Sequence, residues 1–153
     1  LRYSIPFIML KKYQKVRKIY KNSVVTGFAG SVSDAFSLTE KFEEKLEEHS
    51  GNLRRAAVAL AQLWRSDKAA RNLDALMIAA DKESMLVISG TGEVIEPDED
   101  FVAIGSGGNY AYAAATALFK HTDMTAEEIV REALKIASEI CVYTNSNISV
   151  EKL

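Results

Sequence analysis

Lys15-Val16-Arg17-Lys18-Ile19-Tyr20-Lys21-Asn22-Ser23-Val24-Val25-Thr26-Gly27-Phe28-Ala29-Gly30 sets a basic run directly ahead of a short apolar one. Residues 24–29 are β-branched, aromatic or small, and Gly30-Ser31 closes them, which predicts a strand entering a turn. At Gly27-Phe28-Ala29-Gly30-Ser31 the small residues let a ligand approach the backbone. Lysine charge and an accessible amide in one segment suit charge stabilisation in a catalytic site. A strand with a solvated flank is the plainer alternative.

Downstream, Ser33 or Asp34 is an expected N-cap, and Ala35, Leu38, Phe42 and Leu46 recur at helical spacing with Glu40, Glu43, Glu44, Glu47 and Glu48 on the outer positions. This predicts an amphipathic helix ending near His49-Ser50-Gly51. Asn52 can cap a second helix, whose Ala56, Ala57, Leu60, Ala61 and Trp64 form a small-residue face suited to packing against the first. Strands are expected at 75–80, 85–89 and 93–95, joined by the hairpin-type connections Asp81-Lys82-Glu83-Ser84 and Gly90-Thr91-Gly92, with a further short strand at 101–104. A helix over 110–119 follows, then one opened by a Thr125/Glu128 capping box and reaching Cys141, and a closing strand over 148–150. Paired helices and consecutive antiparallel strands argue against βαβ alternation and for a single layered α+β sandwich over residues 1–153.

Upstream, residues 1–12 show no clean periodicity, and Pro6 argues against a helix interior or a central strand, so the regular fold is expected to begin later. The longest nearly apolar run, residues 5–10, is too short to span a bilayer, and most nearby positive charge follows it, opposite to an export signal. One cysteine, Cys141, permits no internal disulfide and suits a reducing compartment, so a cytoplasmic location is expected.

With 48% hydrophobic and 26% charged residues, the chain has the composition of a folded domain and not of a disordered one. Its net charge of −2 is unevenly spread: residues 1–21 hold seven of the 19 Lys and Arg and no acid. Such an arm can attract nucleic acid or an acidic protein surface. Without aromatic or Gly/Arg interleaving, a solvated or intersubunit basic face is the better reading than nucleic-acid binding.

Gly105-Ser106-Gly107-Gly108 stands between an expected strand and a helix, where backbone N–H groups converge; it reads either as a tight turn or as a functional loop centred on Ser106. Its spacing is not that of the dinucleotide fingerprint, and it lacks the P-loop lysine. His49 and His121 fall at predicted helix ends, so no serine-type triad is indicated. Cys141 with these two histidines has no metal-site spacing and reads as a small hydrophobe on its helix, and Asp98-Glu99-Asp100 reads as a solvated turn.

Taken together, Lys15-Val16-Arg17-Lys18-Ile19-Tyr20, Gly27-Phe28-Ala29-Gly30-Ser31 with Asp34-Ala35-Phe36, Leu63-Trp64-Arg65-Ser66-Asp67, Ser89-Gly90-Thr91-Gly92-Glu93-Val94, Ile104-Gly105-Ser106-Gly107-Gly108 with Tyr110-Ala111, and Cys141-Val142-Tyr143-Thr144-Asn145 resemble one family. It is the HslV (ClpQ) family of proteasome-related peptidases, and the likeness runs in order from Lys15 onward. The resemblance implies an N-terminal nucleophile hydrolase fold, a four-layer αββα sandwich. It also implies two stacked hexameric rings, a HslU-type AAA+ ATPase as partner, unfolded polypeptide as substrate, and no nucleic acid, membrane or organic cofactor.

In that family an N-terminal threonine hydroxyl attacks the peptide carbonyl and the chain's own α-amine is the general base. By the resemblance Lys15 supplies the supporting charge, Gly27 the oxyanion N–H, Ser106 the hydroxyl that organises the amine, and Ser138, Cys141 and Thr144 a sodium site. Residues 1–14 form an atypical leading segment that does not match the family, and residues 1–10 in particular do not resemble its threonine-led first hairpin. The expectation is therefore a chain without that hairpin or nucleophile, inactive by itself. A non-catalytic ring subunit and, more remotely, a basic-arm nucleic-acid-binding protein are the rival readings.

Overall fold

A computed structural model of the chain describes residues 7–11, 16–67, 75–141 and 148–153, with 7–11 and Val32 described by backbone alone. The elements are β1 (Phe7–Lys11), β2 (Val16–Ile19), β3 (Val24–Ala29), α1 (Val32–Glu48), α2 (Leu53–Ser66), β4 (Leu76–Ala80), β5 (Met85–Ser89), β6 (Val94–Ile95), α3 (Gly108–His121), α4 (Ala126–Ile140) and β7 (Ile148–Lys152). β2-β3-β4-β5-β6 form one antiparallel sheet, and β1 pairs with β7 in a second, two-stranded one.

Alternation along β3 fixes the layers, because successive strand residues face opposite sides of a sheet. Val24 and Phe28 join Ile19, Met77, Leu86 and Ile88 against the α1/α2 pair, where Phe42, Leu46, Leu60 and Trp64 are fully buried. Phe28 stacks on Trp64 at a centroid distance of 6.2 Å. Each such large side chain taken out of water contributes about 1.5–3 kcal/mol. Val25 and its partners Val16, Ile78 and Ala80 form the opposite face, met by Val87, Val102, Ile104 and Leu153. β1 and β7 contact β2 and β3 on one side and α4 on the other, while α3 and α4 pack together around Ala115, Ile129 and Ala133. Helices, sheet, sheet and helices make the four-layer αββα sandwich.

Capping sets the helix ends. Asn52 accepts from the Arg55 N–H at 3.0 Å, and Thr125 and Glu128 make the reciprocal capping box, as expected. α1 starts earlier than expected: Ser31, not Ser33 or Asp34, is its N-cap, accepting from the Asp34 N–H at 3.2 Å, and Asp34 supplies the acid of the first turn. β2 and β3 join through Lys21 and Asn22 with φ of 55° and 59°, and the Ser23 N–H donates to the Tyr20 carbonyl at 3.1 Å, a primed hairpin turn that follows the twist of its strands.

Three expectations need correction. The regular fold begins earlier than expected: β1 lies within the stretch that shows no clean periodicity, with Phe7 opposite Lys152 and Lys11 opposite Ile148. Pro6 lies outside the described residues, and the strand's pairing partner lies at the far end of the chain. The basic run itself forms β2, its alternate residues facing opposite sides. Residues 101–104, expected as a strand, pair in no ladder: Phe101 turns to Phe119 in an edge contact at 5.2 Å while Val102 and Ile104 lie on the sheet, so packing on both sides takes the place of pairing.

Candidate active site

Val16↔Gly27 is the end rung of the described β2–β3 ladder, and beyond it Phe28 and Ala29 pair only with β4. Gly27 is buried and shares its sheet face with Val25. Gly27 is also paired with Ile78 of β4 on its other side. Lys15 immediately precedes β2 and lies outside the described residues.

Val102 and Ile104 lie on the same face as Val25 and carry the chain to the Gly105–Gly107 turn. Gly105 has φ +94°, and a Cβ added there would sit 3.8 Å from the Ala29 Cβ, so the loop passes close to the end of β3. Ser106, next in the chain, is exposed in this turn, and the Gly108 N–H closes it on the Gly105 carbonyl at 3.1 Å. A Cβ added at Gly108 would meet the Ala103 backbone at 3.4 Å, an ordinary van der Waals contact, so the turn packs back on residue 103. The structure thus brings the Ser106 turn beside the end of β3, on the sheet face that carries Val16 and Val25.

Of the residues expected to bind sodium, Ser138 lies in the last turn of α4, whose carbonyls the helix itself leaves unsatisfied, and Cys141 is its C-cap, donating its N–H to the Ala137 carbonyl at 2.9 Å. Thr144 lies outside the described residues. Carbonyl donors at a helix end suit a hard monovalent cation, while no group of three His, Cys, Asp or Glu able to hold a metal occurs among the described residues. Cys141 is half-buried, not fully buried as a core hydrophobe would be. Asp98, Glu99 and Asp100 are exposed, as a solvated turn requires.

On the helical side of the sheet, an open groove of about 360 Å³ is lined by Arg17, Thr39, Glu40, Glu43, Glu44 and Glu47. The Arg17 guanidinium lies over the Phe36 ring at 4.9 Å, and its Nη1 is buried with no hydrogen-bond partner among the described residues. The sequence carried no sign of this, since the glutamates read as a solvated face and nothing local links them to β2. Lys18, on the opposite face of β2, lies 3.8 Å from Glu151 of β7, a pair equally invisible in one dimension.

The sequence matches the family model for proteasome subunits over residues 2–153. It is 66% identical over 140 residues to the ATP-dependent protease subunit HslV of Caldanaerobacter subterraneus subsp. tengcongensis, covering 92% of this chain and 80% of that one. The HslV of Staphylococcus carnosus is 62% identical over 146 residues, covering 95% and 82%. Among solved structures, the eukaryotic HslV from Trypanosoma brucei superposes with a TM-score of 0.84 at 49% identity, covering 91% of this chain and 80% of that one. A protein described as Thiobacillus denitrificans BPH shares the fold at a TM-score of 0.74 and 17% identity, covering 98% and 93%. With its layers, its β2–β3 register and these likenesses agreeing, the chain belongs to the proteasome family and, within it, to the HslV protease subunits.

Proposed function

We propose that this chain is the peptidase subunit of a two-component ATP-dependent protease. It assembles as two stacked hexameric rings and cleaves unfolded polypeptides delivered by a HslU-type AAA+ ATPase. The observation that carries this reading is the 66% identity to a relative named as an ATP-dependent protease subunit, extending over 92% of the chain.

The proposed chemistry is of the threonine type. The hydroxyl oxygen of an N-terminal threonine bonds to the scissile carbonyl carbon, and its proton passes to the α-amine and then to the leaving nitrogen; water afterwards hydrolyses the ester that remains. A terminal amine, with an ordinary pKa of about 7.7–8.0, accepts a proton near neutrality, and a lysine cation beside it favours its neutral form. Lys15 has that role and steadies the developing negative charge, Gly27 offers its N–H to the oxyanion, and Ser106 orients the amine. Thr26 is unsuited to attack, since it is only 2% exposed within β3 and its hydroxyl donates to the Arg17 carbonyl at 3.5 Å.

A sodium ion at the carbonyls of Ser138, Cys141 and Thr144 would fix the end of α4 and the segment after it. A cytoplasmic location fits the single cysteine, and none of the described helices is long and apolar enough to cross a membrane.

The test is cleavage of a small fluorogenic peptide by the full-length protein with its ATPase, with N-terminal sequencing of the mature species. Lys15→Ala should lower turnover by about 100-fold or more with the rings intact, the scale seen when charge stabilisation is removed from a hydrolytic site. Retained turnover in that variant removes the lysine assignment. A mature species with no terminal threonine removes the threonine chemistry.

A further inference from the structure

Among the described residues β2 is an edge strand of its sheet, hydrogen-bonded to β3 alone. An edge strand held on one side needs other contacts to fix its height, and here both faces supply them. Arg17 lies over Phe36 of α1 on the helical face. On the other face, Lys18 Nζ is 3.8 Å from Glu151 Oε2, and Leu153, two residues after Glu151, packs against the cluster that contains Val16 and Val25. Glu151 thus ties β7 to β2 by an ionic contact, and Leu153, the residue just past β7, adds an apolar contact to the cluster that includes Val16.

We propose that Glu151, supported by Leu153, is a positioning residue for peptide hydrolysis. It holds β2 against the second sheet, and with β2 it sets Lys15, which precedes Val16, and Gly27, which pairs with Val16. This inference rests on the roles proposed for Lys15 and Gly27. Glu151 touches no reacting atom and acts only through the strand.

The two side chains are 31% and 41% exposed, so solvent screens the pair and its effect is modest. The fluorogenic-peptide assay on the full-length protein with its ATPase tests it. Glu151→Gln and Lys18→Gln should each lower kcat by about two- to fivefold, the range available to a partly exposed ion pair, with KM, thermal midpoint and assembly mass unchanged. Exchanging the charges, Lys18→Glu with Glu151→Lys, should return kcat to within about twofold of the unsubstituted protein. Leu153→Ala should lower kcat in the same direction.

Unchanged kcat in both single variants overturns the inference, as does a loss that charge exchange does not restore or one that follows a falling thermal midpoint. Lys15→Ala, assayed alongside, separates the two levels. If it still cleaves, the assignment beneath fails; if it is inactive while Glu151→Gln is normal, only the positioning role fails. An unsubstituted protein that cleaves nothing overturns the proposed function and this inference with it.

Discussion

Gly51 shows how one residue ties together parts of the fold that are distant in sequence. It has φ +80°, its N–H closes the end of α1 on the Leu46 carbonyl at 2.8 Å, and a Cβ added there would sit 2.7 Å from the Tyr20 ring. The helix-to-helix connection therefore lies directly against the β2–β3 turn. Gly51→Ala combines a left-handed backbone with a clash, and should destabilise the protein by about 1–3 kcal/mol, read as a lower midpoint in urea at unchanged slope. An unshifted midpoint would mean that Tyr20 moves aside freely. The sequence marks Gly51 as a helix stop, but Tyr20 as its neighbour follows only from the tertiary fold.

Among the elements, α4 is the most self-specified. Its capping box is complete, with the Thr125 hydroxyl accepting from the Glu128 N–H at 3.2 Å and Glu128 accepting from the Thr125 N–H at 3.0 Å. Glu127 also pairs with Arg131 one turn later. Thr125→Ala should cost about 1 kcal/mol, measurable as a lower thermal midpoint, and Thr125→Ser should recover most of it because the acceptor oxygen is restored. Failure of serine to recover would move the effect from the cap to the threonine methyl. This element was legible because its signals lie within four residues of one another. β1 was not, since a five-residue strand is stabilised by its ladder partner, and β7 is separated from it by nearly the whole chain. Residues 101–104 misled in the opposite sense, because their apolar side chains serve two packing surfaces with no neighbouring strand.

At the scale of the molecule, the described surface carries large apolar side chains that a lone subunit leaves to water: Tyr110 of α3 is 44% exposed and Ile140 at the end of α4 is 56% exposed. In the proposed ring assembly a second copy of the chain would cover these positions. Native mass spectrometry of the full-length protein should show a twelve-subunit species, and Tyr110→Glu with Ile140→Glu should shift it toward smaller assemblies without loss of secondary structure. A double variant that remains fully assembled would place both residues outside the contacts between copies.

The sequence alone determined the two helix pairs, the β4–β5–β6 hairpins, the α+β class and, through motifs in unbroken order, the family. These follow from periodicity, capping and turn chemistry, which act over a few residues, and from short segments whose residue types match a known pattern. Only the tertiary structure decided that β1 closes a second sheet with β7, that the Ser106 turn lies beside the end of β3, and that Glu151 reaches Lys18. Each of these joins residues far apart in the chain. Their pairing is set by how the layers stack and by which faces remain to be buried, and no local signal encodes it.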